Sequence, residues 1–365
     1  MNRITEVNRR QFLLSSLSVL ISACASSNVT EVSPPPPRRA LDPLVSPLDA
    51  DVKNIPVVDF HTHLLKNVTA EELVNCQDQV GVARMVLMPN WTKDLPGVSV
   101  HDAEGSDEQA IEYARRTPDR FVPFIGFQGR GLASPETWDS SSQIGQQRLR
   151  ETEAKLRTGE FFGMGEFMLR FYPYTNRHGI ISTSEIDCPP YSYVMRKFAD
   201  LSARYRAPMV IHAEAEPTVK EEMIRLFEAH GDAIFVWAHN CGRSSSKDID
   251  DLFSRFPNLF ADLGGMVYSG PNVEHYGVYF PRRTPWMYLV VDEKGVILPE
   301  MKPLFDKYSD RYLVGTDVAH ARVYKNYKAH WPRWRSFFSQ LSPAAAHKIA
   351  YQNAERLFLV NGGYL

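Results

Sequence analysis

The sequence predicts a (β/α)8 barrel that forms a single domain over residues 51–365. Three observations carry this. Eight short apolar runs recur between residues 55 and 317. Stretches of helical period separate them. The runs are continuous rather than strictly alternating, as in parallel strands buried on both faces. Eight strands alternating with helices over roughly 300 residues have the length and count of such a barrel. A doubly wound open sheet is the alternative topology.

In chain order the strands are IPVVDF (55–60), ARMVLM (83–88), RFVPFIGF (120–127), FFGMGEF (161–167), PMVIHA (208–213), AIFVWAH (233–239), NLFADLG (258–264) and RYLVGTD (311–317). Apolar residues at helical spacing predict helices over 70–80, 106–117, 146–157, 192–206, 218–230 and 247–256. Three connections are long: 128–145, 168–190 and 265–300. The last contains MYLVVDEKGVILPE, a hairpin pattern turning at Glu293-Lys294-Gly295. Loops after barrel strands build the mouth, so these three are expected to wall the substrate.

The N-terminus follows other rules. Residues 1–24, MNRITEVNRRQFLLSSLSVLISAC, place Arg9-Arg10 before an apolar core too short to span a bilayer. The paired arginines resemble a twin-arginine export signal. Ile21-Ser22-Ala23-Cys24 resembles a lipobox, which implies lipidation at Cys24. Residues 25–50 read as a Pro/Ser-rich linker, stiffened by Pro34-Pro35-Pro36-Pro37. The expected location is the periplasmic side of a bacterial membrane, held there only by the lipid anchor. Net charge is −2, which argues against nucleic acid as a partner. The expected partner is a small-molecule substrate, with a homodimer left open.

The chemistry lies where the apolar runs end. The first ends in Asp59-Phe60-His61-Thr62-His63. Later runs end at Glu166, His212, His239 and Asp317. A barrel converges those ends on one opening. Residues i and i+2 of a strand share a face, so His61 and His63 both aim into the mouth while Thr62 aims away. Imidazole and carboxylate ligands in this number suit zinc, manganese, iron or nickel rather than calcium or magnesium. Each residue alone has a plainer reading. A lone strand-end histidine is more often structural, Glu166 could be half of a salt bridge, and Asp317 could cap a helix. The joint pattern is what points to metal.

Taken in order, HTH, the strand-end Glu, VIHAE, VWAHNCG, VGTD and NAERLF resemble the amidohydrolase superfamily, in its amidohydrolase-related (amidohydrolase 2) branch. The resemblance runs from about residue 54 to 360. It implies a distorted TIM (β/α)8 barrel with one or two divalent metals, zinc first and manganese, iron or nickel as alternatives. It implies that His61, His63, His212 and Asp317 hold a first metal or the water on it. It implies that His239 holds a second metal, the water or the substrate oxygen. Many members carry a carboxylated lysine at the fourth strand, where this chain has Glu166. The implied reaction is hydrolysis of an amide, ester, lactone or phosphoester, with Asp317 as the base and His239 assisting. Decarboxylation by the same ligand set is the alternative, and a non-catalytic, lipid-anchored binding protein is a third. Arg130, Arg170, Tyr172, Tyr268 and Arg282 on the long loops are the candidate substrate contacts. Trp138 on the same loops is a candidate pocket wall.

Overall fold

A computed structural model describes residues 37–89, 105–129, 131–172, 185–267, 288–292, 294–319 and 324–358. The proposed signal, with Cys24, lies outside them. The barrel strands are β1 (Val57–Asp59), β2 (Val82–Pro89), β3 (Phe121–Ile125), β4 (Gly163–Phe171), β5 (Met209–Ala213), β6 (Phe235–Trp237), β7 (Leu259–Asp262) and β8 (Tyr312–Leu313). Each pairs in parallel with the next in chain order. The ring is joined through irregular backbone. Phe60 N–H donates to the Val314 carbonyl and Asp317 N–H to the His61 carbonyl, both at 2.8 Å. The barrel is therefore the topology adopted, and the open sheet is not.

Six helices occupy the predicted intervals: α1 (Ala70–Asp78), α2 (Asp107–Arg116), α3 (Gln143–Leu156), α4 (Tyr193–Tyr205), α5 (Pro217–Ala229) and α6 (Ser246–Arg255). Local sequence sets where they begin. Thr69, Ser106, Ser142, Ser192 and Ser245 each accept the N–H of the third helical residue. Such a cap contributes about 1 kcal/mol. Pro217 opens α5 at a position where its missing N–H is harmless. The hairpin forms where predicted: Asp292 N–H donates to the Val296 carbonyl and Leu298 N–H to that of Val290. Glu293 itself lies outside the described residues.

The floor of the barrel, at the strand N-termini, is sealed by both flanks of the chain. Residues 25–36 of the predicted linker lie outside the described residues, but the later part is docked. Arg39 donates to the carbonyls of Ala114 (2.7 Å) and Phe121 (3.0 Å). Arg38 donates to that of Tyr205 at 2.6 Å. Leu41 is buried in the core. The folded body thus begins near Arg38 rather than at residue 51, because these arginines satisfy carbonyls left open where helices end and strands start. NAERLF closes the other side. Asn353 donates to the carbonyls of Ser309 and Tyr312, each at 2.8 Å. Glu355 pairs with the buried Arg84, which also donates to the Asp42 carbonyl. Phe358 stacks on Phe60 with ring centroids 5.7 Å apart.

Candidate metal centre

At the opposite end, the predicted ligands come together. Glu166, from β4, lies at the centre. Its Oε1 is 3.1 Å from His212 Nδ1, 3.3 Å from His239 Nε2 and 3.6 Å from His61 Nε2. Its Oε2 is 3.5 Å from His63 Nε2. Asp317 Oδ1 is 3.4 Å from His63 Nε2 and 3.6 Å from His61 Nε2. Two groups able to hold a cation share Glu166: His61, His63 and Glu166, and then Glu166, His212 and His239. His212 thus lies with His239 rather than with the β1 pair. All of these side chains are buried except that of Asp317, which is 31% exposed. Thr62 turns away, as alternation requires, and donates to the Val86 carbonyl.

Three neighbours unmarked in the sequence reading fix which ring nitrogen each histidine presents. Asp262, at the end of β7, lies 3.1 Å from His61 Nδ1. Glu214 lies 3.2 Å from His212 Nε2. The Gly264 carbonyl lies 2.8 Å from His239 Nδ1. These acceptors hold the ring protons and leave His61 Nε2, His212 Nδ1 and His239 Nε2 with lone pairs facing inward. His212 Nδ1 and His239 Nε2 are then 2.8 Å apart. Two ring nitrogens that close share either a proton or a cation. His61 Nε2 is buried without a hydrogen-bond partner. The donor set therefore fits a divalent metal.

A left-handed turn aims His239. Residues His239, Asn240, Cys241 and Gly242 have φ between 54° and 66°, and Arg243 has φ 63°. L-residues adopt this region at a cost of about 1–2 kcal/mol each. Packing holds the turn. A carboxylate oxygen of Asp262 accepts the His239 N–H (3.3 Å), and Ala215 N–H donates to the Gly242 carbonyl (3.0 Å). Arg243, at the end of the turn, pairs with Glu214, which in turn holds His212. Gly315 explains VGTD in similar terms: a Cβ there would sit 2.6 Å from the Cβ of His61.

The electrostatics suit a bound cation. Burial opposes ionisation of Glu166, but His61, His212 and His239 hold its carboxyl well below the usual range. Burial likewise opposes ionisation of Asp317, and His63, His61 and His239 outweigh it to hold the carboxyl low. Glu214 falls to about 2, where burial is overcome by Arg243 and His212. His212 rises to about 9, where burial is overcome by Glu166 and Glu214. Asp59, the last residue of β1, is pushed up to about 6 by burial, against hydrogen bonds from Thr316 and Tyr327.

Of the expected substrate contacts, Arg130, Tyr268 and Arg282 lie outside the described residues. Arg170 lies at the mouth end of β4 and Tyr172 just beyond it. Arg170 pairs with Glu185 (2.6 Å) and Glu216 (3.0 Å) and stacks 3.9 Å from the Tyr172 ring centroid. Tyr172 donates to Glu216. Trp138 packs the wall rather than lining a pocket. It is buried against Phe167 and Phe198, with its indole N–H on the Leu132 carbonyl.

A parallel barrel with this histidine and carboxylate cluster at its mouth defines a class of metal-site barrels. A model of the Amidohydrolase family (Amidohydro_2) matches residues 58–360, and the chain belongs to that family. No curated protein matches it. Among solved structures it is similar to a probable 2-pyrone-4,6-dicarboxylic acid hydrolase from Acinetobacter baumannii. The TM-score is 0.50 at 12% identity, over 83% of this chain and 98% of that one. It is also similar to an uncharacterized barrel protein from Bordetella bronchiseptica (TM-score 0.48, 13% identity, 83% and 98% covered). A third is a dihydroxybenzoic acid decarboxylase from Polaromonas with bound manganese (TM-score 0.46, 14% identity, 84% and 98% covered). At these identities the likeness speaks to the fold alone.

Proposed function

We propose that the protein is a metal-dependent hydrolase acting on an amide, ester, lactone or phosphoester bond of a small molecule. One observation carries this. Asp317 is a partly exposed carboxylate beside an otherwise buried ligand cluster, and it sits next to both histidines that follow β1. His61, His63, Glu166 and Asp317 would hold one divalent ion. Glu166, His212 and His239 would hold a second, so that Glu166 bridges the pair. Zinc suits the donors first, and manganese, iron or nickel are the alternatives. Such ions acidify water and polarise the oxygen of a scissile bond.

Charge suits cations here. Glu166, Glu214, Asp262 and Asp317 are acids in or against the cluster, with Arg243 paired to Glu214. In the metal-free protein His61 and His212 are raised toward imidazolium and balance part of that charge, a role that bound divalent ions would take over. Asp317 would accept the proton of the attacking water and return it to the leaving group. His239 is a ligand in this reading.

Metal analysis of the purified protein, with an ester, lactone and phosphotriester panel, tests the reading. Asp317→Asn is expected to keep its metal and lose about 10²–10⁴-fold in rate. Absence of metal, with no turnover after zinc or manganese is added, refutes the proposal. Carbon dioxide release from an aromatic acid replaces it with the decarboxylase alternative.

A further inference from the structure

We propose that Gln128 is a positioning residue that sets the bridging carboxylate, and so decides whether the second metal binds. The inference rests on the two-metal reading above. Gln128 Nε2 donates to Glu166 Oε2 at 2.6 Å, in a buried pair. The other polar neighbours of Glu166 named above are histidines whose facing nitrogens are needed for metal. Gln128 alone among these contacts offers a neutral N–H that stays a donor whether metal is present or not.

Its placement divides the carboxylate. Oε2 is held toward Gln128 and His63, while Oε1 is left to face His212 and His239 at 3.1 and 3.3 Å. Rotating Glu166 about its last bond would break this division, and the Gln128 bond opposes that rotation. The chain beside the pair is well packed. Phe127 lies against Phe167 with ring centroids 3.9 Å apart and planes 30° apart, so the residues flanking Gln128 and Glu166 touch. Phe198 packs against both rings, at 4.9 and 5.2 Å. The amide lies just past β3, and its chain neighbour is packed into the core, which is the support a preorganised group needs.

Gln128→Met removes the donor at similar length, and Gln128→Asn withdraws the amide by one methylene. Manganese binding to full-length protein is followed by metal content, chelator competition and the electron paramagnetic resonance of the bound ions. Wild type is expected to take two equivalents and show an exchange-coupled pair. Both variants are expected to hold the first ion and bind the second about 10–100-fold more weakly, with the coupled signal lost. Thermal melting of the metal-free proteins identifies the folded variants. Two equivalents at wild-type affinity in either folded variant overturns the role of Gln128. A single equivalent in wild type overturns the two-metal reading instead, and this proposal with it.

Discussion

At the scale of the residue, Gly242 carries more than any ligand does. Its φ is +66°, and a Cβ there would sit 2.2 Å from the Ala213 carbonyl oxygen. The turn it belongs to presents His239 at one end and Arg243 at the other. Gly242→Ala is therefore expected to destabilise the fold by at least about 2 kcal/mol, from the left-handed backbone cost and the overlap with β5. A denaturation midpoint equal to wild type would contradict this. The residue scale also shows what the sequence hid. His61, His63, Glu166, His212, His239 and Asp317 were legible because each ends an apolar run. Glu214 was legible by the same alternation that exposed His61 and His63, since it lies two residues past His212. Asp262 ends its own run, NLFAD. Neither acid belongs to a histidine spacing of the H-x-H kind, so neither stands out alone. Gln128 carries no signal, because a neutral amide in the loop after a strand is ordinary.

At the scale of the element, the strands and the docked arm differ in how plainly the sequence marks them. The strands were readable from continuous apolar runs, and the helices from period and caps. The docked arm, Arg38 to Leu44, was not. Its proline and arginine content is that of a linker, and only the open carbonyls of the barrel floor make it structural. Arg84 is the hub of that floor, pairing Glu355 of the C-terminal helix while reaching the carbonyl of Asp42. Removing one partner leaves the other charge buried and unpaired, at a cost of about 3–5 kcal/mol. Arg84→Met is expected to lower the melting temperature markedly while leaving metal content unchanged in the folded fraction. Simultaneous loss of metal at temperatures where the variant is folded would show that floor and mouth are coupled, contrary to this expectation.

At the scale of the whole molecule, the metal-free protein and the loaded one should respond to pH differently. The folded pKa of His212, about 9, lies above its ordinary value near 6.5. Its contribution to metal-free stability is thus fully present below about pH 6.5 and lost as pH rises through 9. His61 is raised too, because Asp262 and Glu166 outweigh burial, and acts in the same direction. Metal must displace these protons, so its affinity should rise with pH up to about 9. Calorimetric titration in two buffers of different ionisation enthalpy should detect proton release at pH 7. Equal heats in both would refute the ionisation assigned to His212.

The floor has one more consequence, for how the molecule can be handled. Both described ends of the chain, at Arg38 and near Phe358, meet beneath the barrel, while the ligand cluster opens above it. A probe coupled at either of these two points would attach on the side away from the ligand cluster.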